Sequence, residues 1–116
     1  AHPMNIDDAG HKYGLDTPQY RNSARSADII LADYLQGWLQ AGYQVLVTAD
    51  HGINNDRSHN GLLPEEREVP LFVLGDAFSL NPDVMPKQLE LCGTICELLG
   101  VAHDKPLCRE LLRPAP

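Results

Sequence analysis

The ten residues Tyr43-Gln-Val-Leu-Val-Thr-Ala-Asp-His-Gly52 begin as a short, β-branched, nearly all-apolar run and end on an acid and an imidazole. A run of this kind, without polar alternation, reads as a strand covered on both faces, as in a parallel sheet between layers of helix. Asp50 and His51 stand just past its carboxyl end, where ligands gather in open α/β sheets. A second run of the same type, Pro70-Leu-Phe-Val-Leu74, closes on Gly75. Between the two, through about Glu68, lies a segment rich in Gly, Asn, Asp and charge, which reads as a loop. It is longer than the usual connection, and long loops in small domains tend to carry function.

Helical patterns alternate with these strands. From Thr17 to about Ala41, Thr17 is an N-cap and Pro18 the first helical residue. Ala27, Ile30, Leu31, Tyr34, Leu35, Trp38 and Leu39 then recur at three- and four-residue steps up to the stop at Gly42. A second helix is expected from Pro86 to about Leu99, with Leu89, Cys92, Ile95, Cys96, Leu98 and Leu99 apolar and Gly100 as its stop. The fold class that follows is α/β, a partial parallel sheet with flanking helices. Residues from about 102 to 116, with Pro106, Pro114 and Pro116, read as an irregular tail.

The 116 residues amount to one domain's worth of chain. A formal charge of −7 argues against a surface for nucleic acid or another polyanion. No apolar run approaches the ~20 residues that span a bilayer, so no membrane segment is expected within the chain. The three cysteines are odd in number, and Cys92 and Cys96 fall in a helical pattern. They read as reduced core thiols, which points towards a cytoplasmic setting. The opening, Ala1-His-Pro-Met-Asn-Ile-Asp-Asp-Ala-Gly-His11, would leave Asp7 and His11 almost on a free terminus if translation began at Met4. A portion of a longer protein is therefore expected, cut just before or inside a strand, with Asp7 and His11 in a loop beyond it.

Alone, Asp-His-Gly after a strand reads as a turn. Here Asp7 and His11, Asp50 and His51, and His59 in Ser-His-Asn-Gly supply two carboxylates and three imidazoles from three positions. Those groups are the usual protein ligands of zinc and also suit manganese and iron. No cysteine joins the set, which favours a catalytic site with open positions over a structural thiolate site. Asp50 and His51 can reach one ion together only if the backbone turns between them, and Gly52 eases such a turn.

The remaining candidates have plainer readings. His2 reads as a strand-end residue and His103 as part of a polar surface turn. Asp8 is either a hydrogen-bond acceptor for a ligand imidazole or a solvated carboxylate. Asp56 and Arg57 stand where substrate contact is conceivable, and Arg suits phosphate by its bidentate geometry. Tyr34 and Trp38 read as core.

Asp7-x-x-Gly-His11, Thr48-Ala-Asp-His-Gly52 and the later His59-x-Gly together resemble the C-terminal metal motifs of the alkaline phosphatase superfamily. They are most similar to its type I phosphodiesterase and nucleotide pyrophosphatase branch, over about residues 3 to 101. The resemblance implies an alkaline-phosphatase-like fold, of which residues 1–116 would be the C-terminal portion. It implies two divalent metal ions, zinc or manganese, with Asp7, His11 and His59 holding one and Asp50 and His51 the other. The expected activity is phosphodiesterase or phosphatase hydrolysis of a phosphate-ester or nucleotide-like small molecule. The family completes its second metal with an upstream Asp and a Thr or Ser nucleophile, which have no counterpart here. The isolated chain is thus expected to be inactive, and to self-associate through strand edges and faces left without partners. Phosphoethanolamine transferases and phosphomutases resemble the same motif set, and a non-catalytic metal-binding domain is a further alternative.

Overall fold

The Asp7–His11 segment is helical rather than a loop. In the computed structural model, which describes residues 1–81 and 83–114, α1 runs over Asn5–Tyr13 with Asp7 and Asp8 in its first turn and His11 and Lys12 in its last. That polarity complements the helix dipole at both ends. The segment has no apolar period to announce a helix and contains Gly10, so the expectation of a loop fails there. Gly10 is buried because a Cβ would lie 2.7 Å from Ile53 Cδ1 and 3.1 Å from the Tyr20 ring, and this close approach seats α1 against its neighbours.

The chain divides into two units, Ala1–Phe72 and Val73–Pro116. The first contains α1, α2 (Pro18–Gln40), β1 (Val45–Thr48) and the single-turn α3 (Pro64–Arg67), and β2 (Leu71–Leu74) begins at its end. Thr17 caps α2 as expected, its Oγ1 accepting from the Tyr20 N–H at 3.2 Å, with Pro18 in the first turn. The helix ends in a Schellman turn. Tyr43 N–H reaches the Trp38 carbonyl at 3.0 Å and Gly42 N–H the Leu39 carbonyl at 3.1 Å, with Gly42 at a φ of 93° that only glycine adopts cheaply.

The apolar face of α2 is wider than the surface that covers it. Ala27, Leu31, Leu35 and Leu39, one row at four-residue steps, are half-buried. Ile30, Tyr34 and Trp38 in the adjacent row are exposed, and the Tyr34 and Trp38 rings stack on each other at 5.8 Å. The expectation that this second row is core is therefore not met within the described residues.

β1 and β2 pair as a two-stranded sheet. Thr48, at the end of β1, donates its Oγ1–H to the carbonyl of Pro70, just before β2, at 2.8 Å. The end of one strand meets the start of the next, so the pair is antiparallel and not the parallel pair expected. Apolar content reports how deeply a strand is buried and carries no information about its direction. Cover is also incomplete: Val45 is buried, whereas Phe72 is 60% exposed.

In the second unit, Phe78, Cys108 and Leu111 are buried together with Thr94. Phe78 forms an antiparallel bridge with Leu112, flanked by Ser79 N–H to the Leu111 carbonyl and Arg113 N–H to the Ala77 carbonyl, both at 2.8 Å. The tail is irregular apart from a 3₁₀ turn at Arg109–Leu111, yet it supplies part of this core; residues 115 and 116 of the expected tail lie outside the described residues. The expected helix from Pro86 begins later, as a 3₁₀ turn at Gln88–Glu90 leading into α4 (Leu91–Leu99), and Gly100 closes it at a φ of 67°. Glu90 sets the start by accepting the Lys87 N–H at 2.7 Å. Leu89, Leu99 and Cys92 are exposed, so neither the apolar face of this helix nor its thiols are all core; Cys108 is buried, and burial pushes both its thiol and that of Cys96 up.

His103 lies in the turn after α4 as expected, but is half-buried rather than fully exposed. Lys105 N–H donates to its Nδ1 at 3.1 Å, which leaves Nε2–H to donate to Glu97 Oε2 at 3.0 Å. That bond, with a second from Arg109, holds the Glu97 carboxyl below its ordinary range.

Candidate metal centre

All five residues singled out from the sequence, Asp7, His11, Asp50, His51 and His59, lie in the first unit, and their side chains converge. Asp7 Oδ1 stands 3.3 Å from His11 Nε2, 3.7 Å from His51 Nε2 and 3.7 Å from His59 Nε2. Asp50 Oδ1 is 3.6 Å from His51 Nε2. The His51 and His59 rings stack with centroids 3.6 Å apart, and His59 Nε2 is 3.1 Å from His11 Nε2. Asp7, His51 and His59 each offer a ligand atom within 4.8 Å of the others.

Local structure explains why these atoms meet. A four-residue step on α1 puts Asp7 and His11 on one face of the helix. β1 delivers Asp50 and His51 at its end, and the loop before α3 returns His59 to them. Gly52 serves this arrangement by its lack of a side chain, since a Cβ there would overlap the Glu65 carbonyl oxygen. Its φ is not among the positive ones, so the close approach of α3, and not a special turn, requires glycine after His51.

The imidazoles are oriented through their other nitrogens. His11 Nδ1 meets the Arg57 carbonyl at 2.7 Å, and His51 Nδ1 meets the Gly52 carbonyl at 2.7 Å. A carbonyl can only accept, so Nδ1 carries the proton in both rings and Nε2 of a neutral ring keeps its lone pair. This is the usual outer arrangement of a metal-ligating histidine.

The donor set fits a cation. Asp7 Oδ1 has no solvent contact and takes no hydrogen bond of acceptable geometry, which is costly for a carboxylate oxygen unless positive charge stands nearby. The atoms around it are ring nitrogens that carry lone pairs once deprotonated. Two of them, 3.1 Å apart, repel unless a proton or a cation lies between them.

Two residues that shape this centre have no signal of their own in the sequence. Glu66, 1% exposed, accepts from Asn54 Nδ2 (2.7 Å) and Asn60 N–H (3.0 Å) through Oε1, and from Leu62 N–H (3.1 Å) and Leu63 N–H (2.8 Å) through Oε2. Its carboxyl is held below the ordinary glutamate range, first by the Leu63 N–H and further by Asn60, Asn54 and Leu62, against the opposing effect of burial. Asn54, also buried, accepts from Asp56 N–H at 2.9 Å and Ser58 N–H at 3.0 Å through Oδ1. Glutamate in a charged loop reads as solvated, and only the fold reveals four donors around it. Of the lesser candidates, Asp8 is exposed, and Arg57 Nη1 donates to the Lys12 carbonyl at 3.1 Å and so ties the loop to α1.

The sequence pattern of the type I phosphodiesterase / nucleotide pyrophosphatase family matches residues 1–83. A phosphopentomutase of Herpetosiphon aurantiacus is 33% identical over 100 residues, covering 84% of this chain and 24% of its own length. The chain thus spans about a quarter of that relative. No solved structure matches. With most of its length matched, the chain belongs to the type I phosphodiesterase / nucleotide pyrophosphatase family, within the alkaline phosphatase superfamily.

Proposed function

We propose that this chain is the metal-binding, C-terminal part of a bimetallic phosphoryl-transfer enzyme, a phosphodiesterase or phosphatase acting on a phosphate-ester or nucleotide-like small molecule. The convergence of three imidazoles on the covered Oδ1 of Asp7 carries this reading. Asp7, His11 and His59 would hold one divalent ion, and Asp50 and His51 would contribute to the other. Nitrogen and oxygen ligands of this type suit zinc and accept manganese. When bound, such ions would offset the charge of a transferring phosphoryl group.

The chain's own residues supply the preorganisation. The Arg57 and Gly52 carbonyls hold His11 and His51 in the tautomer that turns Nε2 inward, and Asp7 Oδ1 lies at 3.7 Å from Nε2 of both His51 and His59. A Thr or Ser nucleophile and one further Asp would come from a part of the parent outside this chain, and the chain alone is expected to show no turnover. A second reading, a phosphomutase, is favoured by the identity with the phosphopentomutase. It uses the same metal ligands and differs in where the phosphoryl group goes.

Calorimetric titration with zinc is the test. Binding is expected in the unaltered chain and should weaken as pH falls, because a protonated imidazole has no lone pair to donate. His11→Ala and His59→Ala should each lose the same ion, His51→Ala a different one, and His103→Ala none. Equal effects of His11→Ala and His103→Ala would overturn the assignment. Assays of the parent on a phosphodiester and on a sugar phosphate would separate hydrolase from mutase.

A further inference from the structure

We propose that Glu66 is the positioning residue of the metal centre, the single group that sets His51 and His59 in register with each other and, through Asn54, sets the carbonyl that orients His11. This inference rests on the metal-binding reading above.

The loop between Asn55 and Glu65 is exposed throughout, so apolar packing does little to define it. Its order comes from polar contacts, and these lead to one residue. The Glu66 carboxylate binds the N–H of Asn60, the neighbour of His59, while the Glu66 carbonyl accepts the N–H of Gly52, the neighbour of His51, at 2.7 Å. The third link runs through Asn54. Its amide donates to Glu66 Oε1, and its Oδ1 gathers the N–H groups of Asp56 and Ser58 into the tight turn that aims the Arg57 carbonyl at His11 Nδ1. Asn54 N–H to the Ser58 carbonyl at 2.8 Å closes that turn. Side chain and main chain of Glu66 thus reach every imidazole of the centre without touching one. Four donors on two oxygens match a carboxylate and not an amide, which would turn an NH₂ towards N–H groups.

The test uses the full chain, with Co²⁺ as the probe because its visible absorption reports the number and geometry of its ligands. Glu66→Gln should weaken Co²⁺ binding by about 10-fold, the lower end of the loss when a direct outer partner of a ligand is removed, because it acts one step further out, and alter the absorption band. In the His59→Ala background, the part of the Glu66→Gln loss that runs through Asn60 to His59 should vanish while the part that runs through Asn54 to His11 remains, so the loss should be smaller than it is alone. Fluorescence of Trp38, the chain's single tryptophan, reports whether the fold survives. If Glu66→Gln does not fold, Asn54→Ala, which removes one of the four donors, carries the same comparison with a smaller loss expected. Unchanged affinity and absorption in a folded variant, or losses that simply add to that of His59→Ala, would overturn the inference. Absence of Co²⁺ binding by the unaltered chain would overturn the metal reading itself, and this inference with it.

Discussion

Arg57 is the non-glycine residue with a positive φ among those described, at 62°, a conformation that costs an L-residue about 1–2 kcal/mol. The strain has a visible use, since the turn points the Arg57 carbonyl at His11. Arg57→Ala keeps the strain and deletes the guanidinium, whereas Arg57→Gly deletes both. Thermal unfolding should find the glycine variant more stable than the alanine variant by about 1 kcal/mol, and equal stabilities would mean that no strain is stored. Glu66 makes a second residue-scale prediction. Its folded carboxyl binds a proton less readily than in the unfolded chain, so the unfolded state binds more protons between the two values and stability rises with pH through that window. The contribution is complete above the ordinary glutamate range and is lost as pH falls through the lowered folded value. Melting temperature against pH, measured without metal, should be flatter in this acid window for Glu66→Gln than for the unaltered chain.

Among the elements, α2 depends on its ends because its sides are poorly covered. Thr17→Ala removes the acceptor for the Tyr20 N–H and also the bond from Oγ1 to the Gly14 carbonyl. It should cost about 1 kcal/mol, with Thr17→Ser retaining most of the stability. In α4 the comparable residue is interior. Thr94 is fully buried, donates to the Glu90 carbonyl at 2.7 Å and accepts the Cys108 N–H at 3.0 Å. Thr94→Val keeps the shape and strands that N–H, at a cost of about 1–3 kcal/mol by denaturant unfolding. A loss no larger than that of Thr94→Ser would show that water reaches the Cys108 amide.

For the whole molecule, the exposed row of Ile30, Tyr34 and Trp38, with Tyr43 beyond the end of α2, leads to an expectation of self-association. Apolar patches of this kind drive association in water. Sedimentation at micromolar concentration should show dimers or larger species, and Ile30→Glu with Tyr34→Lys should shift the population towards monomer. A monomer unaffected by these changes would show that the row needs no partner. Among the described residues no helix is long and apolar enough to cross a membrane.

The cap and stop of α2 and the positions of both strands were legible from residue type and spacing alone, because each depends on interactions within a few residues of chain, whereas the meeting of His11 and His59, 48 residues apart, is a tertiary fact. Thr17-Pro18 and Gly42 signal a helix by local geometry, and Val45 to Val47 signal a strand by branching. The helix at Asp7–His11 was within reach, since a four-residue step joins the acid to the imidazole, but no apolar period accompanied it. Only the tertiary structure decided the rest. Strand direction depends on where the loop after Asp50 leads, the requirement for Gly52 comes from the Glu65 carbonyl across the turn, and the importance of Glu66 comes from donors between three and twelve residues away. Covering of the α2 and α4 faces depends in the same way on what packs against them, and an apolar period in a sequence records a capacity for burial without naming the partner.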